Sequence, residues 1–239
     1  MLSPKPWRAE AVIQLVAGVF VCLCLGVAVA GVLRQAGVAA FNSPDGAAGV
    51  LVATLAFQGA AWVLIFIFLK LHGMGWRDAF GFNHPNLTKS LLLAAGVLIV
   101  FALPVVLGLE WVSAIVLEKM GWPAEDQRAV DLIVNAKSWW MRGYLAFFAV
   151  VLVPVAEEFI FRGMLFPFIK QRGWPRLAWF GVSFVFALIH LNAPTFLPLF
   201  VFALVLTWLY EKTDCLLAPV AAHSLFNTAN LVILYLQTR

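Results

Sequence analysis

Residues 157–163 read Glu-Glu-Phe-Ile-Phe-Arg-Gly, two acids and a base set inside one of the most apolar stretches of the chain. Ionisable side chains in such stretches are costly to bury, so each needs a partner or a purpose. The chain has few of them: Glu157, Glu158, Arg162, His190 and His223, joined by the amide Asn227. Glu158 and Arg162 lie four residues apart, which on a helix pairs them on one face. Glu157 then points about 100° away, outside that pairing. His223 and Asn227 are also four apart and share a face, and His190 follows Phe186 by one turn. A carboxylate, two imidazoles and an amide held together at low dielectric suit acid–base chemistry on a carbonyl carbon. The carboxylate takes a proton from water, while a histidine and an amide donate hydrogen bonds to a tetrahedral oxyanion. Glutamate with two histidines is also a plausible zinc shell, with Glu157, His190 and His223 as ligands.

Helices must carry these groups to one place. The chain has 239 residues, 63% of them hydrophobic and 12% charged, with a mean hydropathy of +0.94. Water-soluble domains carry roughly twice that charged fraction. Apolar runs of membrane-spanning length recur along the chain. The expected fold is therefore all-α, a polytopic transmembrane helical bundle of about seven to eight spans. Candidates lie near 11–33, 47–69, 90–109, 143–170, 176–192, 196–210 and 215–236. The fourth is long, with Pro154 and Pro167 as places to bend. The hairpin joining the fourth and fifth turns between Gly173 and Trp174, and Glu157 and His190 are equally distant from that centre. At ~1.5 Å per residue both sit about 21–25 Å from the turn. His223 and Asn227 follow the connection at 211–214 by about 14 and 20 Å. The four groups thus converge on one layer, in a cavity that admits water where bent helices line it.

The remaining features orient the chain. The first run reads as a retained span rather than a cleaved leader. With the N-terminus inside, cytoplasmic segments hold Lys5, Arg8, Lys70, Arg77, Lys89, Lys170, Arg172, Arg176 and Lys212. The other side holds Arg34, Lys119, Arg128, Lys137, Arg142 and Arg239, so the cytoplasmic N-terminus is favoured. The net charge of +4 reflects these loops and not nucleic-acid binding. Trp111, Trp139, Trp140, Trp174 and Trp208 fall near predicted span ends, as an aromatic belt requires. The connection at about 110–142 contains a predicted interfacial helix within 123–137. Cys22, Cys24 and Cys215 form no disulfide framework, and His72 and His84 are expected to be solvated in a polar connection. Spans and interfacial helix make up 1–140, and 141–239 holds the site-bearing spans of one membrane domain. The expected location is the cell (inner) membrane.

The stretches Glu-Glu-Phe-Ile-Phe-Arg (157–162), Phe186 to His190 and His223 to Asn227 resemble the EExxxR, FxxxH and HxxxN motifs of the CAAX-protease and bacteriocin-processing family. These are intramembrane proteases and include the type II CAAX prenyl endopeptidases. The resemblance covers Glu157 to Asn227, in the expected order on successive spans, and the N-terminal 140 residues carry no matched motif. It implies that Glu157 and His190 activate the hydrolytic water and that His223 and Asn227 hold the oxyanion. Glu158 and Arg162 become structural support. It also implies a peptide or protein substrate, lipidated or membrane-bound, and a metal-free mechanism without cofactor, with zinc as the alternative.

Simpler readings stand beside this one. Glu158 and Arg162 can serve only as a packing ion pair, Asn227 as interhelical glue, and Phe186 as a core or lipid-facing aromatic. A proton-coupled transporter would use Glu157 and the histidines as a relay, although no inverted repeat is visible. A non-catalytic immunity or scaffold protein would use the same fold for binding.

Overall fold

In a computed structural model the described residues are 2–41, 47–83, 85–122, 132–134, 136 and 138–237, and they contain helices and no strand. Helix α1 is Ala9–Gln35, α2 spans 47–71, and α3 is the short Trp76–Phe80. They are followed by α4 (Leu87–Lys119), α5 (Trp139–Lys170), α6 (Pro175–Leu188), α7 (Ala193–Thr213) and α8 (Leu217–Gln237). Six of these, α1, α2, α4, α5, α7 and α8, are long and apolar enough to cross a membrane. The protein is an all-α, multi-pass membrane protein.

The fifth expected span is corrected. In place of 176–192 the chain forms α6, whose 14 residues end at Leu188. At ~1.5 Å per residue it extends about 21 Å, short of the ~30 Å hydrocarbon core. The cause is local. Asn192 caps α7 by accepting the Thr195 N–H at 3.1 Å, Pro194 fills the first turn, and Leu191 before it takes a left-handed φ of 49°. Of the predicted interfacial helix only 132–134, which are helical, and 136 are among the described residues, and His84 lies outside them. His72 is half-buried rather than solvated: it stacks on Phe68 at 4.1 Å and gives a hydrogen bond from Nδ1 to the Phe68 carbonyl.

Proline shapes α4 and α5 more finely than a bend. Wide π turns at Leu98–Ala102, Phe148–Leu152 and Phe159–Leu165 each end two residues before a proline, at Pro104, Pro154 and Pro167. A proline ring clashes with the carbonyl four residues back and has no N–H to give it. Widening the preceding turn relieves the clash and leaves a carbonyl in need of another donor.

Two apolar cores result. One joins α1, α2, α3, α5 and α6 through residues such as Val12, Ile65, Phe80, Phe159, Met164 and Phe186. The other joins α4, α7 and α8 through Leu98, Phe202, Leu206, Ala222 and Phe226. Only 11% of the most apolar window of α1 is buried against protein, compared with 44% for α5 and 50% for α7. Helices α5 and α7 are thus central, and α1 offers most of its surface to lipid.

Candidate active site

The site starts at the second wide turn of α5. Glu157 and Glu158 end the helical segment Val153–Glu158, and Arg162 sits inside the π turn that follows. Arg162 is the largest fully buried side chain in the described protein. Its Nη1 donates to Glu158 Oε1 at 2.9 Å, and its Nη2 donates to the Ala203 carbonyl of α7 at 3.0 Å. The guanidinium also lies 4.6 Å from the Phe186 ring centre. A buried cation with a paired carboxylate, a carbonyl and an aromatic face is well compensated.

His223 of α8 is clasped by both acids. Its Nδ1 donates to Glu158 Oε1 at 2.9 Å, because a carboxylate oxygen only accepts. Its Nε2 faces Glu157 Oε2 at 3.9 Å, longer than a direct hydrogen bond. That Glu157 oxygen is buried and receives no hydrogen bond from the described residues. Glu157, Glu158, Arg162 and His223 are each less than a tenth exposed. The histidine's rim is aromatic, with Phe186 at 5.8 Å and Phe202 at 5.5 Å between ring centres.

His190 lies just past the end of α6, in the turn, rather than within a span. Its Nδ1 donates to the Phe186 carbonyl at 2.7 Å, which leaves Nε2 as a lone-pair acceptor. The ring joins the cluster through Phe186, 4.9 Å away. Asn227, one turn after His223, gives one amide hydrogen to the Ala149 carbonyl of α5 at 2.8 Å. That carbonyl is one that proline freed. Val153 donates five residues back to Phe148, and Pro154 has no N–H to offer Ala149. Among the described residues no three His, Cys, Asp or Glu side chains are grouped so as to hold a metal ion.

The structure therefore brings Glu158, Arg162 and His223 into direct contact, sets Glu157 3.9 Å from His223, adds His190 through Phe186, and ties Asn227 to the first wide turn of α5. Two contributors were not singled out from sequence. Phe202 lies in a uniformly apolar run with nothing to distinguish it. The Ala149 carbonyl was signalled only by Pro154, two residues beyond a π turn that spacing does not reveal.

A polytopic helical membrane protein with a buried acid–histidine–arginine cluster is the class these features define. Residues 139–229 match the family described as "Type II CAAX prenyl endopeptidase Rce1-like", a range that contains all three motifs. Over this C-terminal segment the chain is similar to that family. It is also similar to UPF0177 protein YxdF of Lactococcus lactis subsp. lactis (strain IL1403), 30% identical over 78 residues. That alignment covers 32% of this chain, and the chain spans about two fifths (42%) of the length of that relative. No solved structure matches the chain.

Proposed function

We propose that the chain is an intramembrane endopeptidase in which a water held at Glu157 attacks a peptide carbonyl. The observation that carries this reading is the 3.9 Å gap between the bare Glu157 Oε2 and His223 Nε2. A polar separation of that size accommodates a bridging water. Glu157 takes the proton as the water attacks. His190, its tautomer set by the Phe186 carbonyl, presents Nε2 as a second acceptor for the water's proton and for its delivery to the leaving amine. His223, held at Nδ1 by Glu158, turns Nε2 toward the oxyanion. Asn227 has a second amide hydrogen left over from its bond to Ala149, which is available to the same oxyanion.

The family description supports substrates that end in a prenylated C-a-a-X sequence, presented from the membrane, and a location in the cell membrane with the N-terminus cytoplasmic. The test uses purified protein with an internally quenched farnesylated C-a-a-X peptide and its unprenylated counterpart. Glu157→Gln and His190→Ala abolish cleavage and leave the melting temperature in detergent close to wild type. Full cleavage by Glu157→Gln removes the assignment. Cleavage persists after chelator treatment. Loss on chelation with recovery on added zinc replaces the water-activation scheme by one in which Glu157, His190 and His223 are ligands. Proton flux through liposomes without any hydrolysis favours a carrier instead.

A further inference from the structure

The segment that precedes α1 reaches across the molecule to the turn that holds Arg162. The Trp7 indole N–H donates to the Gly163 carbonyl at 3.2 Å, bridging residues 156 apart in sequence. This carbonyl belongs to the π turn Phe159–Leu165, where the Phe166 N–H reaches five residues back to Phe161, and the indole is a donor to it from outside its own helix. Trp7 is 6% exposed, set edge-on to Phe68 at 5.1 Å and to His72 at 5.6 Å. His72 in turn accepts the Arg8 N–H at 3.3 Å. Gly163 itself has no space for a side chain, because an added Cβ would stand 2.8 Å from the Phe80 ring.

The other end of the segment is fastened to the turn before α8. Ser3 Oγ donates to Asp214 Oδ1 at 3.1 Å, and the buried Lys5 ammonium lies 3.5 Å from the same carboxylate oxygen. Asp214 caps α7 in a left-handed conformation with φ 48°, and Leu216 N donates to the Phe80 carbonyl at 2.9 Å. One short segment thus holds both supports of the site: the π turn of α5 that bears Arg162, and the turn from which α8 carries His223.

We propose that residues 3–8 are a strap that positions this site, with Trp7 a positioning residue acting through Gly163 on the turn that bears Arg162. The indole ties the π turn to the segment before α1 and holds it in the register that aims Arg162 at Glu158. Glu158 then orients His223. The effect on turnover rests on the hydrolytic reading given above; the positioning itself does not.

The experiment is a cycle of Trp7→Phe and Pro167→Ala in the full chain, in detergent, with ¹⁵N-arginine labelling and the Arg162 guanidinium signals assigned from Arg162→Lys. Trp7→Phe keeps an aromatic ring and removes the N–H. It shifts or broadens the Arg162 signals, and Pro167→Ala, which lets the turn narrow to α with a new N–H four residues beyond Gly163, restores them in the double variant. On the quenched farnesylated peptide, Trp7→Phe lowers kcat about tenfold, the scale of one hydrogen bond, at unchanged KM, and the double variant recovers most of it. Unchanged Arg162 signals in folded Trp7→Phe overturn the proposal, as does a double variant whose losses simply add. If Trp7→Phe alone does not fold, the double variant still folds with wild-type Arg162 signals; its failure, where Pro167→Ala alone folds, overturns the strap. Arg162 signals that respond in a protein whose wild type cleaves no peptide remove the hydrolytic reading and leave the strap standing.

Discussion

Arg162 joins three structures at once: Glu158 on its own helix, the Ala203 carbonyl of α7 and the face of Phe186 on α6. Removing it leaves Glu158 with only His223 as a cationic partner and the Ala203 carbonyl with one donor fewer. Arg162→Ala is therefore expected to destabilise the fold by about 3–5 kcal/mol, the range for stranding one member of a buried ion pair. Thermal melting in detergent measures it. Arg162→Lys recovers part of this, since a single ammonium lacks the fork that spans carboxylate and carbonyl together. Asn227→Ala removes an oxyanion donor in the proposed mechanism, a loss of about a hundredfold in kcat. It also leaves the Ala149 carbonyl without its donor, which lowers stability by ~1–3 kcal/mol. A turnover loss without a shift in melting separates the first role from the second.

At the scale of elements, the wide turns decide where the polar groups point. In α5 two π turns flank Glu157 and Glu158, so the acids leave a helix whose width changes on either side of them. Carbonyls within those turns are occupied by Asn227 and Trp7, which makes the two wide turns anchoring points for α8 and for the segment before α1. The α7–α8 turn depends on a different close approach. Gly81 has φ 73°, and a Cβ added there would stand 2.0 Å from the Asp214 carbonyl oxygen. Gly81→Ala combines left-handed strain with a backbone collision, so it is expected to cost more than ~2 kcal/mol and to disturb the Leu216–Phe80 hydrogen bond. A melting temperature near wild type would show that the two loops part without consequence.

Across the whole molecule, four connections meet on one side. The segment before α1 pairs with Asp214, the Phe80 carbonyl binds Leu216 N, and Lys170 pairs with Glu211 near the α5–α6 hairpin. These connections hold most of the lysines and arginines counted as cytoplasmic, which places that charge on one face whichever way the protein inserts. With the N-terminus inside, Arg172→Cys and Lys212→Cys are labelled by a membrane-impermeant maleimide only from the cytoplasmic side, and Gly121→Cys only from outside. Cys22 and Cys24 are first replaced by alanine. Native Cys215 stays silent because it is fully buried and burial pushes its thiol above the ordinary range. The opposite labelling pattern inverts the orientation and leaves the site geometry intact.

The sequence by itself determined the all-α membrane class, because apolar runs of spanning length have few other folds, and it singled out Glu157, Glu158, Arg162, His190, His223 and Asn227 as the candidates. The pairing of Glu158 with Arg162 was legible too, since four residues bring two side chains together on an α-helix and nearly so on the wider turn. Tertiary structure alone decided that α6 stops at Leu188, that His223 sits between the two acids, and that Asn227 and Trp7 bind carbonyls of the two wide turns of α5. The reason is physical. Spacing along a chain reports which residues share a face of their own helix, whereas a carbonyl in a wide turn is satisfied by whichever donor packing brings near, and that donor lay 78 residues away for Ala149 and 156 for Gly163.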